Sequence, residues 1–294
     1  MRTKTRQSLI ITSGLGLVCL LLWYGIPNGE HSPIVNATIS RHNPETSSIS
    51  PTKQDEMAAF RGNECVWCHS KLSSPLKLTS HYAEWHISAH KLGGISCDRC
   101  HGGNPSERDA RKAHLTIRPA SDPTSRLHPT NLAQTCQECH QPYVNAFVES
   151  RHYQKLKEIG VGPSCTTCHG HMASEVIYTP EQTAAMCASC HNATASSLPK
   201  QPQIGEQAAA TMQAIRRASM VTAWADRLLE EATKRQVATP ADAEQLAATQ
   251  RTLDEAKAGF HTFAPEPVRS RADAAYEQGT RLKDTLRQKL YPNQ

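Results

Sequence analysis

The sequence predicts a mainly α protein with much irregular structure, in which a cysteine- and histidine-rich segment precedes an antiparallel helix bundle. Two observations predict it. The motif Cys-x-x-Cys-His occurs five times between Cys65 and His191 and uses ten of the eleven cysteines. Beyond about residue 205 there is no cysteine and one histidine, and apolar residues recur at steps of three and four. Aromatic residues make up 5% of the chain and the mean hydropathy is −0.53. A large side-chain core is therefore not expected in the cysteine-rich part, and something other than side chains must fill it.

The first element is residues 1–26, read as a signal-anchor or signal peptide. Arg2, Lys4 and Arg6 precede an apolar run from Leu9 to Ile26. That length suits a marginal span or a signal h-region, and the charges place the N-terminus in the cytoplasm. No small-x-small cleavage site follows closely, and Trp23 and Tyr24 sit where an interfacial belt would be. A retained anchor is therefore the favoured reading, with Cys19 as apolar filler. Residues 27–60 are rich in Pro, Ser, Thr and Asn without periodicity. They read as a flexible linker with a reach of about 30 Å, carrying His31 and His42 as solvated residues, with one of them folding back as an iron ligand as the alternative.

The second element, 61–200, holds the motifs. They are CVWCH (Cys65, Cys68, His69), CDRCH (Cys97, Cys100, His101), CQECH (Cys136, Cys139, His140), CTTCH (Cys165, Cys168, His169) and CASCH (Cys187, Cys190, His191). A Cys-x-x-Cys alone is ambiguous between half a zinc site, a redox dithiol and a haem anchor. The histidine that always follows decides it. Two thiols add to the haem vinyl groups as thioethers, and the adjacent imidazole becomes the proximal iron ligand. Zinc would need cysteine pairs in twos and leaves the histidine unexplained. The expected cofactors are five covalently bound haem c groups, which makes this a multihaem cytochrome c domain. Covalent attachment of this kind in bacteria takes place outside the cytoplasm, in agreement with the N-terminal signal. The formal charge is +5, but five haems bring about ten propionate charges, so no nucleic-acid partner is inferred.

The haem segment contains an internal repeat. CVWCH is followed by Trp85-x-x-Ser88-x-His90 and then CDRCHGG; CQECH is followed by Phe147-x-x-Ser150-x-His152 and then CTTCHG. Two similarly built haem pairs are expected, with CASCH outside the repeat. Two CxxCH motifs bracketing an aromatic-x-x-Ser-x-His resemble the cytochrome c-554 family, as does HGGNPSERDARKAH from His101 to His114. The resemblance covers about 65–191. It implies packed haem pairs, mostly bis-histidine iron, and electron transfer. A fifth motif, an N-terminal anchor and a long C-terminal extension depart from that family's tetrahaem pattern.

The third element, 205–291, reads as a three-helix bundle. The first helix is expected over about Gly205–Arg235 with Met212, Ile215, Val221, Trp224 and Leu228 on one side. The second starts at Thr239-Pro240, an N-cap followed by proline at the first helical position, with Leu246, Thr249, Leu253, Ala256 and Phe260 as its stripe. The third has Pro267 near its start and the stripe Val268, Ala272, Ala275, Gly279, Leu282 and Leu286. His261 lies in the turn between the last two. Such C-terminal helices resemble those of pentahaem nitrite reductases and octahaem hydroxylamine oxidoreductases, which makes His261 a candidate axial ligand.

Five proximal histidines leave ten others for five distal positions. The candidates are His90 and His152 from the repeat, then His171, His114, His128 and His261. His171 follows His169 by two residues, so it is expected to reach a neighbouring iron rather than cross its own porphyrin. At most two of His81, His86 and His90 are expected to bind. With histidines in surplus, Met172 and Met186 are read as packing residues. The expected function is electron carriage in respiration, on the periplasmic side of the cytoplasmic membrane. The expected partners are a quinol or quinol-oxidising complex and an extracytoplasmic redox protein or terminal reductase. Membrane-anchored quinol dehydrogenases of nitrate and nitrite respiration share the layout of one N-terminal span followed by CxxCH haems. The alternative is a reductase of a small nitrogen or sulfur oxyanion at a five-coordinate haem; against it, all five motifs end in His and none in the Lys of many nitrite reductases. The residues assign no catalytic side chain, and carriage is favoured over catalysis.

Overall fold

The computed structural model describes residues 57–72, 76–172, 175–177, 179–192 and 200–292. The N-terminal run read as an anchor lies outside them, as does most of the linker. The described residues belong to one compact unit, Pro51–Gln294, and none of their helices is long and apolar enough to cross a membrane. The fold is mainly helical, with no strand among the described residues.

The cysteine-rich part is a succession of mostly short helices: α1 (Glu64–His69), α2 (Leu76–His86), α3 (Ala89–Leu92), α4 (Cys97–His101), α5 (Ala110–Ala113), α6 (Leu132–Val148), α7 (Arg151–Ile159), α8 (Cys165–His169) and α9 (Pro180–Cys190). Each motif forms, or ends, a helical turn. The reason is geometric: cysteines three apart share one helix face, so a single turn presents both thiols to the same side. Caps define these turns. The Asn63 side chain accepts from the Val66 amide to start α1, and Thr179 and Gln182 form a reciprocal capping box around Pro180 at the start of α9. Gly170 ends α8 at φ +74°, a conformation that favours glycine. In α6 the helix is kinked at His140, where Pro142 two residues on cannot complete the ladder.

The repeat has a structural meaning. Trp85 and Phe147 are buried anchors. Ser88 and Ser150 are the N-caps of α3 and α7, accepting from the Lys91 and Tyr153 amides. Each therefore places its histidine, His90 or His152, at the second position of a new helix. Phe60, at the end of the stretch read as a linker, is also buried, edge-on to Trp85 at 4.9 Å.

The bundle is α10 (Gln203–Lys234), α11 (Pro240–Gly259) and α12 (Pro265–Leu290). Every residue of the expected α12 stripe is buried, as are Leu246, Thr249, Leu253 and Ala256 of α11. The α10 stripe is the correction. Ile215 and Val221 are buried, but Trp224 is 54% exposed, with the Lys283 ammonium 5.0 Å from its ring centre. The buried face of α10 is instead built on Ala214, Ala218, Ala225 and Ala232. At the closest approach of α10 and α12, Val221 leaves no room for a side chain at position 279: a Cβ on Gly279 would lie 2.9 Å from Val221 Cγ1.

The bundle joins the cysteine-rich part at one end. Gly205 in the first turn of α10 rests against α9, where a Cβ would lie 3.1 Å from the Ala184 carbonyl oxygen. The 3-10 turn Phe260–Thr262 and Phe263 meet α6 and α7: Phe263 lies 4.4 Å from the His152 ring and 6.3 Å from Phe147. At the opposite end, buried Asp242 closes the α11 capping box and receives Lys289 Nζ at 2.6 and 2.9 Å. Burial pushes its carboxyl up, and the Lys289 and Thr239 hydrogen bonds outweigh that and hold it below its ordinary value. Asp242→Ala is expected to cost about 2–3 kcal/mol by removing a cap and leaving an unpaired cation. Chemical denaturation of the wild type and variant measures it.

Candidate functional site

The structure brings the motif histidines opposite histidines from elsewhere in the chain. His69 faces His114 with ring centres 6.0 Å apart, His140 faces His90 at 6.1 Å, His191 faces His152 at 5.8 Å and His169 faces His261 at 6.1 Å. These separations are nearly equal although the ring planes meet at angles from 15° to 66°. An iron bound by both imidazoles at about 2 Å from each nitrogen would hold the ring centres roughly 6 Å apart.

The tautomers agree. A histidine that binds iron through Nε2 must carry its proton on Nδ1 and donate it elsewhere. His114 Nδ1 donates to the Ala110 carbonyl at 2.6 Å and His169 Nδ1 to the Glu175 carbonyl at 2.7 Å. His261 Nδ1 faces the Lys257 and Ala258 carbonyls, both at 3.2 Å. In each case Nε2 is left with a lone pair. His128 shows the opposite pattern. Its Nδ1 accepts from the Thr130 hydroxyl at 2.8 Å and amide at 3.4 Å, so its proton sits on Nε2. Of the candidate distal residues, His90, His152, His114 and His261 are each brought to a motif histidine, and His128 is not among them.

His101 is placed differently. Burial, then the neighbouring His81, His69 and His171, push its proton affinity down. His171 bonds through Nδ1 to Glu84 Oε2 at 3.0 Å, and its ring is 4.5 Å from that of His81. The sequence ranked His81 below His90, because spacing alone does not show which face of α2 meets the second motif. Burial and then a facing histidine also push His69, His90, His152 and His261 down, which favours the neutral, ligand-competent form.

The thiols lie in sequence order through space. Cys97 feels Cys65, Cys100 feels Cys139, and Cys168 feels Cys187. Cys136 and Cys165 share a hydrogen bond that pushes Cys136 up and pulls Cys165 down. Burial first, and these neighbours second, push the unreacted Cys97 and Cys168 thiols up to about 11. Among the described residues no group of three or more His, Cys, Asp or Glu is arranged around one metal position. At four of the five motifs the arrangement supplies two histidines, the number of protein ligands a porphyrin iron takes. Large apolar side chains flank the histidines yet face outward: Ile87 is 82% exposed, Leu92 81% and Leu115 79%. Porphyrin faces would cover such surfaces.

Comparison with known proteins points the same way. Residues 123–192 match the family model described as cytochrome c7 and related cytochrome c. The C-type polyheme cytochrome OmcB of Geobacter sulfurreducens (strain DL-1 / KN400) is 28% identical over 123 residues, covering 39% of this chain and 14% of that protein. OmcC of strain ATCC 51573 / DSM 12127 / PCA is 27% identical over 122 residues, covering 39% of this chain and 15% of its own length. This chain thus matches less than a sixth of the length of these relatives. No solved structure gives a significant match. The similarities support a multihaem c-type cytochrome domain with covalently bound haem, and imply electron transfer; neither names the cytochrome c-554 group.

Proposed function

We propose that this chain is an exported pentahaem c-type cytochrome, tethered by its N-terminal segment on the periplasmic side of the cytoplasmic membrane. It carries single electrons between a quinol-linked membrane donor and an extracytoplasmic redox protein or terminal reductase. The observation that supports this best is the set of four histidine pairs whose ring centres lie 5.8–6.1 Å apart. Each pair joins a CxxCH histidine to one from a different helix or turn. Bound haem supplies one-electron chemistry at iron.

The chain's own residues define the rest. Cysteines at i and i+3 anchor each group, and the following histidine takes the proximal position. His114 with His69, His90 with His140, His261 with His169 and His152 with His191 are the pairs that would hold the iron at four of the motifs. Two histidines at each of these four motifs would keep small molecules off an iron held there, which favours electron carriage over the oxyanion-reductase reading, since that needs an open position. Consecutive motifs lie side by side, so each centre has its sequence neighbour as its spatial neighbour.

The test is intact mass together with electron paramagnetic resonance of the holoprotein. We expect the mass of the polypeptide plus five haems and only low-spin ferric signals. A stoichiometric high-spin signal in the unmodified protein would favour the reductase instead. Membrane fractionation tests the tether: full-length protein is expected in the pellet and released by detergent. A soluble mature form lacking residues 1–26 would make it a diffusible carrier.

A further inference from the structure

We infer that Phe263 is a positioning residue for the fifth motif's centre: its ring fixes the plane of the His152 imidazole. The inference rests on the coordination proposed above and extends it to a residue outside the ligand set.

A ligating imidazole can rotate about its bond to the iron unless something holds its far side. For three of the paired histidines that hold is a hydrogen bond: His114, His169 and His261 each direct Nδ1 at a backbone carbonyl. His152 is held differently. Among the described residues its ring makes no hydrogen bond and meets two other rings. One is His191, which faces it at 5.8 Å. The other is Phe263, at 4.4 Å with the planes at 85°. That is the near limit of a perpendicular aromatic contact, and it leaves the imidazole little freedom to turn.

The backbone points to the same residue. Phe263 has φ +58° and ψ +28°, and it is one of two non-glycine residues at positive φ among the described residues. A bulky side chain is disfavoured there, and glycine would serve the turn with less strain. The turn has its own fixings: Thr262 Oγ1 donates to the Gly259 carbonyl at 2.8 Å and accepts from the Ala264 amide at 3.3 Å, and Pro265 opens α12. Strain kept at such a position points to a use for the side chain. The Phe263 ring is 39% exposed, so filling a core is not that use. His261 and Phe263 are two residues apart. One turn thus brings a ligand to the fourth centre and a hold on the ligand of the fifth.

The test uses the full-chain holoprotein, each variant checked by mass for five haems. The angle between two axial imidazole planes governs the g values of a low-spin ferric iron, so electron paramagnetic resonance reads the His152 plane directly. Phe263→Gly, which suits the backbone and removes the ring, is expected to stay fully low-spin and to shift one signal of five. That signal should be the one that His152→Ala converts to high spin. Phe263→Leu should shift the same signal, and Phe263→Tyr, which keeps a ring, should leave all five in place. Five unchanged signals in the glycine variant, or a shift in a different signal, overturn the inference. So does an unshifted leucine variant or a shifted tyrosine variant, since bulk and not the ring would then matter. A high-spin haem in the glycine variant overturns it as well, because Phe263 would then only dock the turn. Should the glycine variant not take up five haems, the leucine variant carries the test with the same readings. A fully low-spin His152→Ala protein means instead that the coordination proposal itself has failed.

Discussion

His261→Ala is expected to convert one haem of five to high spin while all five remain covalently attached. His261 is carried by the turn between α11 and α12, and its ring lies 6.1 Å from that of His169 with the planes only 15° apart. Burial, and then His169, depress its proton affinity, so it is neutral at physiological pH. Tyr143 holds the ring edge-on at 5.3 Å, and the Lys257 and Ala258 carbonyls orient Nδ1. The attachment at Cys165 and Cys168 does not depend on any of this, so mass should be unchanged while the spin state changes. Phe260 and Phe263 remain to dock the turn, which keeps the loss local. Electron paramagnetic resonance and cyanide binding report the outcome. Five low-spin haems and no cyanide binding in the variant would remove the bundle from the haem site.

Leu282→Ala is expected to destabilise the bundle by about 3 kcal/mol, the usual range for truncating a fully buried leucine that leaves a cavity. Leu282 is 0% exposed and sits with Leu246 and Leu286 in one core cluster. The consequence reaches beyond the bundle. Because α11 and α12 carry His261 at their junction, the fourth haem should lose its distal ligand when the helices melt. Thermal melting followed by far-UV circular dichroism and by the haem absorption spectrum tests this. The two signals should fall together and at a lower temperature than in the wild type. A low-spin fourth haem that persists after the helices have melted would show that its ligation does not depend on the bundle.

Much of this was legible in the sequence because it is local. A thioether anchor and its proximal ligand occupy five consecutive residues, so Cys165, Cys168 and His169 declare themselves wherever the chain goes. The repeat marked His90 and His152 as special, because an aromatic anchor and a serine N-cap act over a few residues. The stripes of α11 and α12 followed from helical spacing alone. The stripe of α10 did not: which of its faces is inside depends on how α12 packs on it, and the buried face carries Ala214, Ala218, Ala225 and Ala232 with Trp224 outside it.

Sequence by itself determined the five CxxCH motifs, the expectation of haem attachment at them and the presence of a helical bundle. Only the tertiary structure decided the pairing. His90 precedes the second motif but faces His140 of the third; His114 faces back to His69; His261 comes from the bundle to His169; and His128, equally embedded between motifs, bonds through Nδ1 to Thr130 instead. The physical reason is that a proximal ligand is tied to its haem by covalent bonds a few residues away. A distal ligand must arrive on the opposite side of the porphyrin, where no short stretch of the same backbone can reach, so its identity is set by whichever helix or turn packs there.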